Sequence, residues 1–325
     1  MNISITAARK EWAFDYNTDG TYTITGYKGD AMSAIVPSMI GSNYVSCVAN
    51  DAFSPEALYI HESTREKRRR LEEIVIPSGI LCEPTIDDIP KGIKRLSCPD
   101  KTIFSIFMPG STVRGRRCYV QGLYLRDLEE IVPVDLDSAY LFEKGLFYNA
   151  EKTELYFRLC AVPLDDLIIP GTVQKISGGA FSGGSFGIIT IPDSVLEIGH
   201  SAFYACKADK LIIGGGISEP STDIFGWSII SSMPHRMSFK EIEFKEGITR
   251  IPQCFGKLKE LKKVTLPQSL TFIPDKCFYY RPDIKTQFFD YLERGEAKEM
   301  VFNVIAGSFA EKYAKENGYA IEYHT

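Results

Sequence analysis

Four histidines, eight cysteines and one glycine-rich loop are where chemistry would first be sought in this chain of 325 residues. His61, His200, His235 and His324 stand in no metal-ligand spacing of the His-Glu-x-x-His kind. The cysteines are Cys47, Cys82, Cys98, Cys118, Cys160, Cys206, Cys254 and Cys277. None forms a Cys-x-x-Cys pair, which argues against structural zinc. They read as reduced core residues, small and apolar, rather than as disulfides. Gly110-Ser-Thr-Val-Arg-Gly115 has the glycine spacing of a phosphate loop. Arg116-Arg117 follows it, so the lysine and the magnesium-binding hydroxyl of that loop are both missing. Gly178-Gly179 and Gly183-Gly184 have the wrong spacing for a dinucleotide fingerprint, and no Gly-x-Ser-x-Gly nucleophile motif occurs. No catalytic, cofactor-binding or metal-binding residue is assigned, and the chain reads as a non-enzyme.

The elements that hold these residues follow from a repeat. Leu261-Lys-Lys-Val264-Thr-Leu266-Pro267-Gln-Ser-Leu270-Thr-Phe-Ile273 closes at Cys277-Phe278. Taking Pro267 as reference, equivalent positions are Pro37, Pro77, Pro99, Pro133, Pro170, Pro192, Gly214 and Lys245. Four adjacent pairs are 22 residues apart, and longer gaps read as one unit with an insertion. An apolar residue recurs at Val173, Val195, Ile217, Ile248 and Leu270, and a closing Phe at Phe181, Phe203, Phe225, Phe255 and Phe278. Self-similarity at this period implies a stacked solenoid. The apolar run before each reference residue is short enough for a strand, and Pro, lacking an N–H, ends its ladder. One coil cannot bury its own apolar residues, but a neighbouring coil can cover them. Cys254 and Cys277, 23 residues apart, would then stack in adjacent coils.

Phe186-Gly-Ile-Ile189-Thr-Ile191-Pro192-Asp-Ser-Val195-Leu-Glu-Ile198-Gly199-His-Ser-Ala202-Phe203-Tyr-Ala-Cys206 resembles the unit LxxIxIPxxVxxIGxxAFxxC. That unit defines the BspA-like, or Treponema pallidum-type, leucine-rich repeat. Residues 24–53 resemble the family's first repeat, and Gly145–Leu155 its hairpin insertion. Gly307–Gly318 resembles its C-terminal cap. Residues 79–132 fit poorly, and the unit after Gly214 lacks the Pro. The resemblance implies a right-handed coil with a parallel β-sheet face, mostly strand and loop with few helices. It also implies an adhesin-like role at the cell surface toward host extracellular or bacterial surface proteins.

On this reading residues 1–325 form a single leucine-rich-repeat solenoid. An N-terminal cap and first coil span 1–53, a charged insertion 54–73, coils 74–281 and a C-terminal cap 282–325. Within the insertion, five bases and four acids over 62–73 sum to +1, which reads as a solvated helix or loop rather than a basic patch. Ser308-x-x-Glu311 is a capping box that predicts a helix over 308–317, followed by a final strand over 319–323. The stretch 284–300 suggests a short helix at Phe288–Leu292. A net charge of −5 favours neither nucleic acid nor anionic membrane as partner. No apolar run reaches the roughly 18 residues of a membrane helix. The first 12 residues read as no signal peptide, which points to the cytoplasm, whereas the resemblance points to secretion. Lys28-Gly-Asp30 matches an integrin-recognition tripeptide, but reads as an ordinary turn.

Strand alternation places one stripe outward. Its members are Glu73 and Val75, Arg95 and Ser97, Asp166 and Ile168, Ile188 and Thr190, Lys210 and Ile212, Glu241 and Glu243, and Lys263 and Thr265. Residues 166 to 265 of this stripe are the candidate partner-binding surface. Ile168, Ile188 and Ile212 are expected to form an apolar patch across three coils, although β-branched residues also favour strands for their own sake. Three functions remain open: a surface interaction module, an intracellular scaffold, and an enzyme built on residues 79–132. The first fits the residues best.

Overall fold

Seven strands form one parallel sheet, and the first five keep the register read from the sequence. The computed structural model of the chain describes residues 1–57, 60–107, 125–217, 220, 238–251, 255, 258, 260–275, 277–280, 296–297 and 299–325. Gly110–Gly115, Cys118, Phe225, His235, Cys254 and the 284–292 stretch lie outside them. The chain divides into two units. One comprises Met1–Ala150 with Arg158–Pro163, the other Glu151–Phe157 with Leu164–Thr325.

The second unit holds the sheet. Its strands run Leu167–Ile168, Ser185–Ile191, Lys207–Ile213, Ser238–Phe244, Lys263–Thr265, Val301–Val304 and Ala320–Tyr323, adjacent in that order. Leu167, Ile189, Leu211, Ile242, Val264 and Phe302 pair across successive strands, and all six are buried. Each coil therefore covers its predecessor's core residue with its own. The same register aligns the reference positions 170, 192, 214, 245 and 267. Lys245, where Pro is absent, donates its backbone N–H to Ile213 O at 3.0 Å, a bond that Pro could not make. At the far corner Phe181 stacks on Phe203 with centroids 5.5 Å apart, and Phe255 on Phe278 at 5.4 Å. These stacks extend the core by ring-on-ring burial. Three short strands, Glu154–Arg158, Lys175–Ile176 and Glu197–Ile198, pair in parallel on another side of the coil.

The glycines after Ile213 have a packing reason. A Cβ on Gly215 would overlap the carbonyl oxygen of Glu246 in the next coil. The chain gives up the Pro there and gains a close approach of two backbones.

The helix expected at the C-terminus spans Phe309–Glu316. Ser308 Oγ accepts from Glu311 N at 3.1 Å, while Glu311 Oε2 accepts from Gly307 N at 2.6 Å. Gly318, at φ 73°, lets the chain turn back into the last strand.

In the first unit, Ser33–Ile35, Glu73–Val75, Arg95–Cys98 and Glu130–Pro133 form a four-stranded parallel sheet. Ala34, Ile74, Leu96 and Ile131 align and are buried. This corrects one reference position. Pro133 pairs with Cys98, so the residue equivalent to Pro99 is Val134, one place later than Pro133. Sequence alone favoured the Pro because strands so often stop there. A helix, Asp100–Phe107, follows the third strand within the segment that fitted the repeat poorly. Its buried face is Thr102, Ile103, Ile106 and Phe107, a helical spacing where the repeat demands another coil shape. A five-stranded sheet built from Asn2–Ile3, Met39–Ile40, Asn43–Val48, Tyr22–Tyr27 and Trp12–Tyr16 precedes these coils. Trp12 packs edge-on against Tyr27 and Phe53 in its core. The stretch 145–155 expected as a hairpin holds the strand Leu146–Asn149 and the start of Glu154–Arg158. Leu146–Asn149 also pairs antiparallel with the preceding strand Tyr140–Glu143, joined through Lys144 and Gly145, both at positive φ.

Candidate functional site

The strands of the second unit set their outward residues in two rows. One row contains Ile188, Lys210, Glu241 and Lys263, with Asp166 at its start. The other contains Ile168, Thr190, Ile212, Glu243 and Thr265. All ten candidate residues thus lie on one sheet face. The three isoleucines do not form a single strip. Ile188 belongs to the first row, and Thr190 stands between Ile168 and Ile212 in the second. Counting from the reference residue fixed which face each residue takes. The same count gives the row, four residues before the reference for the first and two for the second.

The two ends of this face differ in chemistry. Toward the later coils the charges neutralise one another. Lys210 Nζ lies 2.6 Å and Lys245 Nζ 2.5 Å from opposite oxygens of Glu243. Burial pushes the Glu243 carboxyl up, but the hydrogen bonds from Lys210 and Lys245 outweigh it and hold the group below its ordinary value. Lys240 pairs with Asp209 at 2.6 Å and Lys263 with Glu322 at 2.6 Å. The Asp209 and Glu322 carboxylates raise the two lysines accordingly. At the first coils the face is apolar and acidic. Ile168 is 75% exposed and Ile188 38%. Asp165 and Asp166 are exposed beside them. The Asp166 carboxylate is fixed, because Oδ1 accepts from Ile188 N at 2.7 Å.

The first unit carries a comparable ladder. Arg95 lies between Glu73 at 3.8 Å and Glu130 at 3.0 Å, and Ser33 Oγ donates to Glu73 Oε2 at 2.6 Å. Val75 and Ile35 share the neighbouring row.

The residues that sequence reading passed over are in the turn after each strand. Asp193 Oδ1 accepts from Gly215 N at 2.8 Å, and Glu246 accepts from Gln268 N and Ser269 N at 2.6 and 3.1 Å. Ser194 Oγ donates to Val173 O and Ser269 Oγ to Ile248 O, at 2.8 and 2.9 Å. Asp135 does the same in the first unit, accepting from Ser78 Oγ and Asp100 N. These one- and two-after-reference positions tie each turn to its neighbour. Their signal was a recurring Asp, Glu or Ser at positions treated as variable.

The charged insertion forms a helix, Glu62–Arg69, and it is tied down at named points. Arg68 is 3% exposed and donates to the carbonyls of Tyr27, Asp51 and Ser54. Lys67 lies 2.9 Å from Asp30 and holds that carboxyl below its usual range. Lys28 Nζ donates to Arg9 O. Both charged ends of Lys28-Gly-Asp30 are therefore engaged within the chain.

Cys47, Cys82, Cys98 and Cys160 are free thiols, and Cys206 and Cys277 are buried. Burial pushes Cys82 up to about 12 and Cys98 up as well, which makes them poor nucleophiles. Among the described residues no group of three or more His, Cys, Asp or Glu could hold a metal ion. Nor is any described helix long and apolar enough to cross a membrane.

Residues 153–285 and 228–303 match the family described as the BspA type leucine rich repeat region, in six copies. No curated protein matches. Among solved structures, a leucine-rich repeat protein from Eubacterium ventriosum is 17% identical, covering 83% of this chain and 80% of its own, with a TM-score of 0.44. The pneumococcal vaccine antigen PcpA is 14% identical over 93% of this chain and 75% of its own, at 0.45. The T. pallidum leucine-rich repeat protein is 16% identical over 78% and 88%, at 0.27. The family match and the strand register meet on the same residues: residues 153–303 are a BspA type leucine-rich repeat region, a repeat solenoid with a parallel sheet face.

Proposed function

We propose that the chain is a non-enzymatic protein-interaction module that binds its partner on the outward face of the second unit's sheet. The observation that carries this reading is the pair of outward rows. A repeat that aligns five coils produces a long accessible surface rather than a closed cleft. The described cysteines are buried or half-buried, and Lys210, Glu243 and Lys263 on the face are ion-paired within the chain, so among the described residues that surface offers recognition and no assembled nucleophile or acid–base pair. Asp166, Ile168, Ile188, Thr190, Lys210, Ile212, Glu241, Glu243, Lys263 and Thr265 are the proposed contact residues. The partner proposed is a protein, host extracellular or bacterial surface in origin, which the family resemblance supports as an adhesin-like role.

Immobilised extracellular-matrix and bacterial surface proteins should be screened with the intact chain. The ligand retained is then titrated against the Ile168→Asp/Ile188→Asp/Ile212→Asp variant. Losing contact at buried interface anchors typically costs 2 kcal/mol or more, so affinity should fall more than about tenfold with an unchanged melting temperature. Ile168→Asp alone, at the most exposed site, is the control should the triple variant melt early. Unchanged affinity in a folded variant rejects the face as the site.

A further inference from the structure

We infer that the first-coil end of this face takes a cationic, apolar peptide segment: a Lys or Arg placed beside a branched aliphatic side chain. The inference rests on the reading of the sheet face as the docking surface and adds the partner's chemistry. Three observations select the corner formed by Asp165, Asp166, Ile168 and Ile188. First, Asp209, Glu243 and Glu322 elsewhere on this face are each neutralised by a lysine of the chain, and Glu241 stands in its row between Lys210 and Lys263. Asp165 and Asp166 have no Lys or Arg partner among the described residues, so their charge is available to a ligand. Second, the Asp166 carboxylate is positioned in advance. Its Oδ1 accepts from Ile188 N at 2.7 Å, and Gly187 carries no side chain where a Cβ would crowd that oxygen. Oδ2 remains for an incoming N–H donor. A fixed acceptor loses less entropy on binding than a mobile one. Third, the apolar exposure of the sheet face is concentrated here, with Ile168 at 75% and Ile188 at 38%. Directly opposed and diagonal neighbours across paired strands lie within reach of one another's side chains. A single apolar side chain can therefore rest on both isoleucines while a base next to it meets Asp166. An acidic partner would meet two unpaired like charges at this corner, and a purely apolar one would bury them without a cation.

The test is a phage-displayed random peptide library panned on the intact chain. Enriched peptides are synthesised and titrated against wild type, the Asp165→Asn/Asp166→Asn variant and the Ile168→Asp/Ile188→Asp variant. The inference expects peptides pairing Lys or Arg with Leu, Ile or Val. Their affinity should drop about fivefold to tenfold in the Asn variant, the scale of two exposed ion pairs. It should also weaken as salt rises from about 0.05 M to about 0.5 M, because the pairs are screened. Peptides without bases, no enrichment, or binding indifferent to the Asn variant while still lost in the isoleucine variant would overturn the partner chemistry and leave the face reading standing. Binding indifferent to the isoleucine variant as well would overturn both.

Discussion

Arg68 is a charged residue that a run of nine charges conceals. Summed charge over 62–73 says solvated, and most of the helix is. Yet one guanidinium of the run is buried and donates to the carbonyls of Tyr27, Asp51 and Ser54. Asp51 O and Ser54 O also accept the backbone N–H groups of Ser54 and Ala57, at 3.0 and 3.4 Å, but hydrogen bonds to a charged group are worth more than neutral ones. Arg68→Met should cost about 2–4 kcal/mol, seen as a lowered urea midpoint. An unchanged midpoint would mean that water satisfies the carbonyls. Glu311 offers a titration test. Hydrogen bonds from Lys315, Tyr323 and Gly307 N hold its carboxyl at about 2, below the ordinary 4.5. Between those values the folded chain binds fewer protons than the unfolded chain, so stability falls as pH falls through that window. The melting-temperature difference between wild type and Glu311→Gln should be full at pH 6 and close between pH 4.5 and about 2. A difference independent of pH would contradict the assignment. Ser308 and Glu311 were legible from their spacing. Arg68 was not, because a sum of charges carries no direction.

At the scale of the element, the strand and its following turn act as one unit. Burial aligns the strand residues, and the turn's Asp, Glu or Ser fastens each coil to the next. The three marker positions show where the strands are, since core residues must repeat for stacking to cover them. Turn acceptors escape that logic because Asp193 and Glu246 differ in type while doing the same job. Pro133 misled for a related reason: Pro marks strand ends often, but here it is the last residue of the strand Glu130–Pro133. Gly215 shows the limit of propensity. A glycine weakens a regular strand or turn, but here the packing requires it, as the point where two backbones meet. Gly215→Ala should destabilise by about 1–3 kcal/mol, the usual cost of forced overpacking. Gly171→Ala, with open space around it, should stay within about 0.5 kcal/mol. Chemical denaturation of both variants measures this. Equal effects would show that the coils part without cost.

For the molecule as a whole, the repeat region 153–303 sets the kind of function to be sought. A face assembled from equivalent positions can vary its chemistry from coil to coil without disturbing the core, because the two sets of positions alternate along every strand. That freedom is visible in the change from an acidic and apolar corner at Asp165–Ile188 to a paired lattice of charges from Asp209 to Glu322. Sequence alone located the face and all ten residues on it. It did not show the ion pairing, which depends on which side chains meet across strands joined by 22- and 31-residue spacings. The most direct measurement is an isoleucine δ1-methyl NMR titration of the intact chain with a bound ligand, the selected peptide first. The methyls of Ile168, Ile188 and Ile212 should shift while those of Ile35 and Ile5, exposed in the other unit, stay in place. Shifts confined to Ile5 or Ile35, with Ile168 and Ile188 unmoved, would contradict a docking surface on this sheet face.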